Sequence, residues 1–221
     1  MKRNGKRVLL TGCMEVLLFV VWTVLIRTVD VQLIGQSGAD VGFSTLNQWF
    51  HQLTGVHMPV YTITDWLGLV PIAVCMVFGV IGLMQLVKRR SLWKVDADII
   101  VLGIYYITVI IVYLVFEMIP INYRPILING RPEVSYPSST TLLVLSVMPT
   151  LGEQVKRRIK PGIIRKLINV FTVCFSAFMV IGRLVSGVHW ITDIVGGILL
   201  SGGLFCVYKG AIMLSNKEKR K

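Results

Sequence analysis

The sequence predicts an all-α, polytopic membrane protein with six transmembrane helices and both termini in the cytoplasm, and three observations carry that expectation. Of 221 residues, 54% are hydrophobic and only 15% are charged, with a mean hydropathy of +0.72, too apolar for an ordinary soluble domain. Apolar runs near the length that crosses a hydrocarbon core as helix recur at roughly 8–26, 65–87, 99–119, 138–155, 167–185 and 191–213. The basic residues between those runs fall overwhelmingly on one side.

The first run follows Lys2, Arg3, Lys6 and Arg7, as the core of a signal peptide would. It is longer than such a core and no small-residue cleavage site follows, so it reads as a retained anchor. Residues 39–57 place Phe43, Leu46, Trp49, Phe50 and Leu53 at helical spacing, which predicts an interfacial helix on the outer surface, with His51 and His57 solvated. The fourth run is the shortest and contains Pro149, so it spans only if upright or kinked. In the sixth, Gly196, Gly197, Gly202 and Gly203 allow close helix packing. Glu15 and Asp65, inside apolar runs, read as helix–helix hydrogen-bond partners outside the site. Neither an internal repeat nor a low-complexity tract interrupts the chain. It reads as one membrane-embedded domain, 1–221, ending in the short charged tail "SNKEKRK".

Orientation follows from the loops. Lys2, Arg3, Lys6, Arg7; Lys88, Arg89, Arg90, Lys94; Lys156, Arg157, Arg158, Lys160, Arg165, Lys166; and Lys209, Lys217, Lys219, Arg220, Lys221 make nineteen of the 23 basic residues. The opposite side holds Arg27, Arg124, Arg131 and Arg183. The positive-inside rule puts the larger set in the cytoplasm and the others at the extracytoplasmic face of a cell membrane. The net charge of +12 is then explained by topology and anionic lipid, and nucleic acid is not an expected partner. Cys13, Cys75, Cys174 and Cys206 lie inside the runs without CxxC spacing and read as packing residues.

The outer-side polar residues are the informative ones. The loop "INYRPILINGRPEVSYPSSTT" and the stretch "GRLVSGVHWITDIVGG" face one compartment. Together they bring Arg124, Arg131, Ser138, Ser139, Arg183, His189 and Asp193 to one membrane surface from up to about seventy residues apart. His189 and Asp193, four residues apart at the start of a helix, share a face, so the carboxylate can orient the imidazole. "PSST" opens a helix with Pro, hydroxyls and unsatisfied N–H groups, an anion site. Arg124 and Arg183 add planar forks suited to phosphate. A metal site using His189, Asp193, His51 and His57 has suitable ligand types but no tight ligand spacing. A buried His–Asp pair that only fixes two helices is the alternative without chemistry, set against the tendency of intramembrane ionisable groups to be functional.

Arg183, His189 and Asp193 in the pattern GR-x5-H-x3-D resemble the third signature of the type 2 phosphatidic acid phosphatase superfamily; "YRP" at 123–125 resembles the end of the first and "YPSST" at 136–140 the second. The resemblance covers essentially the whole chain. It implies a six-helix membrane phosphatase acting at the outer face on a lipid-linked phosphate or diphosphate, without cofactor or metal. By it, His189 is the nucleophile that forms a phosphohistidine and Asp193 orients its ring. Arg124, Arg183 and the backbone around Ser138 and Ser139 hold the phosphoryl oxygens. Two positions depart from the family pattern: Glu117 stands where the first signature has Lys, and Thr140 where the second has the His that protonates the leaving group. Glu117 and Thr140 themselves, Arg131 from the same loop, and His51 and His57, which could swing over the pocket from the first outer loop, are the candidate replacements for that acid and that cation. The departures keep two other readings open, a catalytically impaired relative that binds or moves phospholipid and a lipid phosphotransferase. The partners expected are the lipid-linked phosphate and the bilayer; the sequence leaves the oligomeric state open.

Overall fold

The computed structural model describes residues 2–215, so the last six residues of the charged tail, with Lys217, Lys219, Arg220 and Lys221, lie outside the described residues. The order is α1 (Lys2–Thr28), β1 (Gln32–Ile34), β2 (Ala39–Val41), α2 (Ser44–Thr54), α3 (Met58–Leu67), α4 (Leu69–Arg89), a 3-10 turn (Leu92–Lys94), α5 (Ala97–Met118), α6 (Ser139–Arg158), α7 (Ile163–Val185) and α8 (Ile191–Ser215). The chain is mostly helical and multi-pass. Among the described residues five stretches, Arg3–Thr28, Met58–Arg89, Ala97–Met118, Ile163–Val185 and Ile191–Leu214, are long and apolar enough to cross a membrane.

α6 is long enough but falls short of that apolarity. The reason is its place at the centre of the bundle, against α4, α5, α7 and α8. It turns Ser146, Thr150 and Gln154 inward, fully buried, and satisfies some of them across helices. Tyr105 Oη donates to the Ser146 carbonyl at 3.0 Å, Tyr106 Oη pairs with Thr150 Oγ1 at 2.7 Å, and Gln154 Nε2 donates to Tyr208 Oη at 3.0 Å. A helix shielded by its neighbours need not be apolar all round.

Two departures from the expected outline lie between α1 and α4. An antiparallel hairpin pairs Gln32 with Val41 and Ile34 with Ala39, so the chain is not purely helical. The helix expected over about 39–57 is α2, and a further helix, α3, runs into α4 through Gly68. Three-residue strands leave too little alternation to be legible in sequence.

α8 runs antiparallel to α1 along most of its length, with Gly5 against Leu214 at one end and Trp22 Nε1 donating to the Thr192 carbonyl at the other. The approach is too close for side chains at two points. A Cβ on Gly12 would stand 2.7 Å from the Val207 nitrogen, and one on Gly203 2.9 Å from the Val16 nitrogen. Backbone lies on the far side in both cases and cannot rotate away. The end bearing the α1 N-terminus carries most of the described basic residues. Its charges are paired in part, Arg158 with Asp98 at 2.9 Å, Lys209 with Glu153 at 3.3 Å and Arg89 with Asp96 at 2.8 Å. The site residues gather at the other end.

Substituting Gly203 by Val should lower the melting temperature of the detergent-solubilised protein by an amount corresponding to roughly 1–3 kcal/mol of overpacking. Gly79→Ala, where nothing lies within 4 Å of the added methyl, should not lower it. Equal Tm values for the two variants would contradict the close α1–α8 contact.

Candidate active site

The turn Ser186–Trp190, between α7 and α8, carries His189. Gly187 adopts φ 71°, and a Cβ there would meet the Gly55 carbonyl at 2.0 Å, so this turn closes on the α2–α3 junction only as glycine. His57 N–H donates to the Ser186 carbonyl (2.9 Å) and His51 Nε2–H to the Gly187 carbonyl (3.1 Å). The two histidines between β2 and α4 therefore meet backbone: His51 supports the turn, and His57 Nε2 returns to the Thr54 carbonyl at 2.8 Å. Trp190, buried against Ile34 and Val41 of the hairpin, donates through Nε1 to the Tyr123 carbonyl at 2.8 Å. Gln36, at the hairpin tip, accepts from Leu127 N–H through its side chain and donates its own N–H to the Pro125 carbonyl, both at 2.9 Å. The hairpin thus ties the turn bearing His189 to the loop bearing Arg124.

Asp193 lies in the first turn of α8 and is fully buried. Its Oδ2 accepts the Trp190 N–H at 2.9 Å and its Oδ1 accepts from Asn122 Nδ2 at 3.2 Å, a carboxylate at a helix N-terminus with its lone pairs engaged. His189 Nδ1 lies 3.2 Å from the Ser135 carbonyl and 3.7 Å from Asp193 Oδ2. The carbonyl is thus the hydrogen-bond partner, and the carboxylate adds charge from just beyond that distance. Both neighbours are acceptors, so Nδ1 carries the proton and Nε2 keeps its lone pair. Nε2 is buried and has no partner among the described residues. Burial, seconded by the two arginine charges and offset by Asp193, pushes the imidazole pKa down to about 4. The ring is therefore neutral at pH 7.

Arg183 is almost wholly buried (2% exposed), although Asp65, its ion-pair partner, is 59% exposed. Its Nη2 donates to Asp65 Oδ1 at 2.7 Å and to Thr140 Oγ1 at 2.6 Å, and its guanidinium lies 4.8 Å from the centre of the Tyr61 ring. Arg124 faces the same ring at 5.6 Å. Its Nε is 3.2 Å from Glu133 Oε2, within ion-pair reach but without hydrogen-bond geometry. Four guanidinium nitrogens, Nε and Nη1 of each arginine, are buried without a hydrogen-bond partner among the described residues. Buried donors of that kind mark a place built for acceptors the protein itself does not supply.

Ser138 caps α6, its hydroxyl accepting from Thr141 N–H at 3.5 Å, and its own N–H donates to the Asp193 carbonyl at 3.1 Å. Ser139 and Thr140 occupy the first turn of α6, whose N–H groups have no i−4 carbonyl inside the helix. They also line the polar end of a cavity of about 490 Å³ that continues between α4 and α5 past Leu69, Ile72, Ile110 and Leu114. Those four side chains are about half exposed, so the cavity opens sideways, where the bilayer would lie.

The structure therefore brings Arg183, Thr140, Ser138, His189 and Asp193 together, with Arg124 across the Tyr61 ring. Glu117, exposed at the end of α5, lines a separate small crevice with Ser135 and Ser139 that neither arginine nor His189 lines. Arg131 is exposed in a tight turn, where Asn129 and Gly130 take φ 51° and 74° and Ile128 and Arg131 exchange backbone hydrogen bonds at 3.0 Å. Three partners escaped sequence reasoning. Asn122 stands two residues before Arg124; Tyr61 is amphipathic; and Asp65, set aside as a helix partner, is a charge in an apolar run, the one signal that pointed here.

A buried cluster of two arginines and a neutral histidine at the end of a membrane bundle, next to a lateral apolar cavity, defines a membrane protein that handles an anionic group on a lipid. The chain belongs to the PAP2 superfamily, whose family model matches residues 72–216. The membership supports, in general terms, a membrane lipid phosphatase. A solved structure similar in fold is the crystal structure of the first transmembrane PAP2-type phosphatidylglycerolphosphate phosphatase from Bacillus subtilis, with a TM-score of 0.62 and 16% identity over 95% of this chain and 97% of that one. No curated protein of significant sequence similarity matches.

The lowered imidazole pKa can be observed directly. The His189 ring protons, followed by NMR, should keep neutral-form shifts from pH 7 down to about pH 5, and a midpoint near 6.5 would contradict the buried site. The unfolded chain binds this proton near 6.5 and the folded chain near 4. The group's stabilising contribution is therefore complete above 6.5 and is lost as pH falls through that window. Asp65→Asn, which removes a negative charge beside Arg183 while keeping its shape, should strengthen inhibition by inorganic phosphate roughly tenfold.

Proposed function

We propose that the protein hydrolyses a lipid-linked phosphate or diphosphate at the extracytoplasmic face of a cell membrane, through a phosphohistidine on His189. The observation that carries this reading is the set of four buried guanidinium nitrogens without a hydrogen-bond partner among the described residues, beside an imidazole whose Nε2 likewise has none. The lipid tail lies in the lateral cavity between α4 and α5 and the phosphate meets Arg124 and Arg183. Nε2 attacks phosphorus as the P–O bond to the leaving group breaks, and its electron pair departs with that oxygen. Positive charge that develops on the ring is matched by Asp193 and by the Ser135 carbonyl, which fix the ring in the attacking orientation. The guanidiniums and the first turn of α6 stabilise the equatorial oxygens as their charge redistributes. Water then attacks the phosphohistidine, breaking the N–P bond and returning the electron pair to Nε2.

Purified protein in detergent with chelator should release phosphate from phosphatidic acid, phosphatidylglycerol phosphate or a polyprenyl diphosphate. His189→Ala should abolish the release and the acid-labile radiolabel that the wild type acquires from labelled substrate. Tight binding of all three lipids without release would favour a binding relative instead, a reading for which the threonine at 140 is the motive. Orientation is tested with single cysteines in a background lacking the four native ones. Arg131→Cys should react with an impermeant thiol reagent from outside intact cells and Trp93→Cys, 96% exposed on the basic end, only after permeabilisation.

A further inference from the structure

The site has the parts that attack and hold phosphorus, but among the described residues no carboxylic acid or imidazole beside the arginines is placed to hand a proton to a departing oxygen. Asp65 is ion-paired to Arg183 and Glu133 to Arg124. Asp193 is engaged by Trp190 and Asn122. His51 and His57 use Nε2 on backbone carbonyls. Besides the ion-paired Asp65, Thr140 touches Arg183 at the mouth of the lateral cavity, and an aliphatic hydroxyl is no acid near neutral pH.

The need for such a proton depends on what leaves. A monoester expels an alkoxide, whose conjugate acid resembles water with a pKa of about 16, and an acid catalyst for that step is worth about 10²–10⁴ in rate. A diphosphate expels a phosphate monoester, whose second pKa is about 6, so the oxygen departs at neutral pH without a proton. We propose that this site cleaves phosphoanhydrides, converting a lipid diphosphate to the lipid monophosphate, in preference to phosphomonoesters, and that Thr140 sets the preference. The inference rests on His189 as nucleophile. Nε2 forms a bond to the terminal phosphorus, the bridging P–O bond breaks, and its electron pair stays on the lipid monophosphate. The departing phosphate lies where Ser139, Thr140 and the α6 N-terminus meet the polar end of the lateral cavity. Water completes the cycle, giving inorganic phosphate and a released proton.

The test compares decyl diphosphate with decyl phosphate, identical in tail, on the full-length protein in detergent. Wild type should turn over the diphosphate at least about 100-fold faster, with decyl phosphate accumulating, and Thr140→His should reduce that ratio at least tenfold by restoring monoester hydrolysis. Wild type alone supplies a second readout that no variant's folding can confound: rates on aryl phosphates should fall roughly 100-fold from 4-nitrophenyl to phenyl phosphate. Comparable turnover of both decyl substrates, dependent on His189, or a flat aryl series, would overturn the specificity and leave the phosphohistidine reading standing. Absence of His189-dependent turnover on every substrate would overturn both.

Discussion

A guanidinium buried at the end of an apolar helix must be neutralised and hydrogen-bonded, and the surroundings of Arg183 are organised by that requirement. Three helices converge on it. α3 brings Asp65 for charge and Tyr61 for its ring face, α6 brings Thr140, and α7 supplies the arginine itself. Desolvating one arginine costs several kcal/mol unless such partners are present, so the packing of α3, α6 and α7 at this end is coupled to the state of one side chain. The arrangement is also incomplete: among the described residues Nε and Nη1 have no acceptor. A purely structural ion pair would satisfy them, because each unmade hydrogen bond to a buried donor costs about 1–3 kcal/mol. The residual demand points outward, to an anion that arrives and leaves.

The connections at this end of the bundle serve the same purpose from the other side. His189 sits in a short turn, not in a helix, and a turn alone would not hold an imidazole within tenths of an ångström. Trp190 packed on the hairpin, His51 and His57 on the turn's backbone, and Asn122 on Asp193 make up the support. Each comes from a segment distant in sequence, and each fixes backbone or a carboxylate already engaged elsewhere. Positioning of this kind raises the effective concentration of a nucleophile. It also explains why so small a loop between α1 and α2 contains strands at all.

How much of this could be read in the sequence depended on whether the signal was local. Apolar runs located α1, α4, α5, α7 and α8, because lipid contact writes itself residue by residue. α6 was a weaker signal because its neighbours, not lipid, surround it, and the side chains of Thr150 and Gln154 find partners there. The hairpin was invisible for lack of length. Among the site residues, the motif spacing brought forward Arg183, His189 and Asp193, which share one stretch of chain. Asp65, Tyr61 and Asn122 were missed because their meaning exists only after folding. Beside the expected Asp193, at 3.7 Å, His189 Nδ1 meets the Ser135 carbonyl at 3.2 Å, and no side-chain pattern encodes a carbonyl.

Asp65 adds a constraint on what can bind. It is the exposed member of the pair and Arg183 the buried one, so a substrate phosphate approaching from the cavity meets the carboxylate before the guanidinium. To use Nη2, the phosphate must share it or displace Asp65, and displacement turns a paired carboxylate into an unpaired one beside an incoming anion. The net gain then depends on how much more negative charge the substrate brings than it displaces. A diphosphate can put one phosphate between the two arginines and the other at the first turn of α6, meeting more of the unpartnered donors for the same displaced carboxylate. The ground-state electrostatics of Asp65 and the leaving-group chemistry at Thr140 therefore lean in one direction, though one acts in binding and the other in bond breaking.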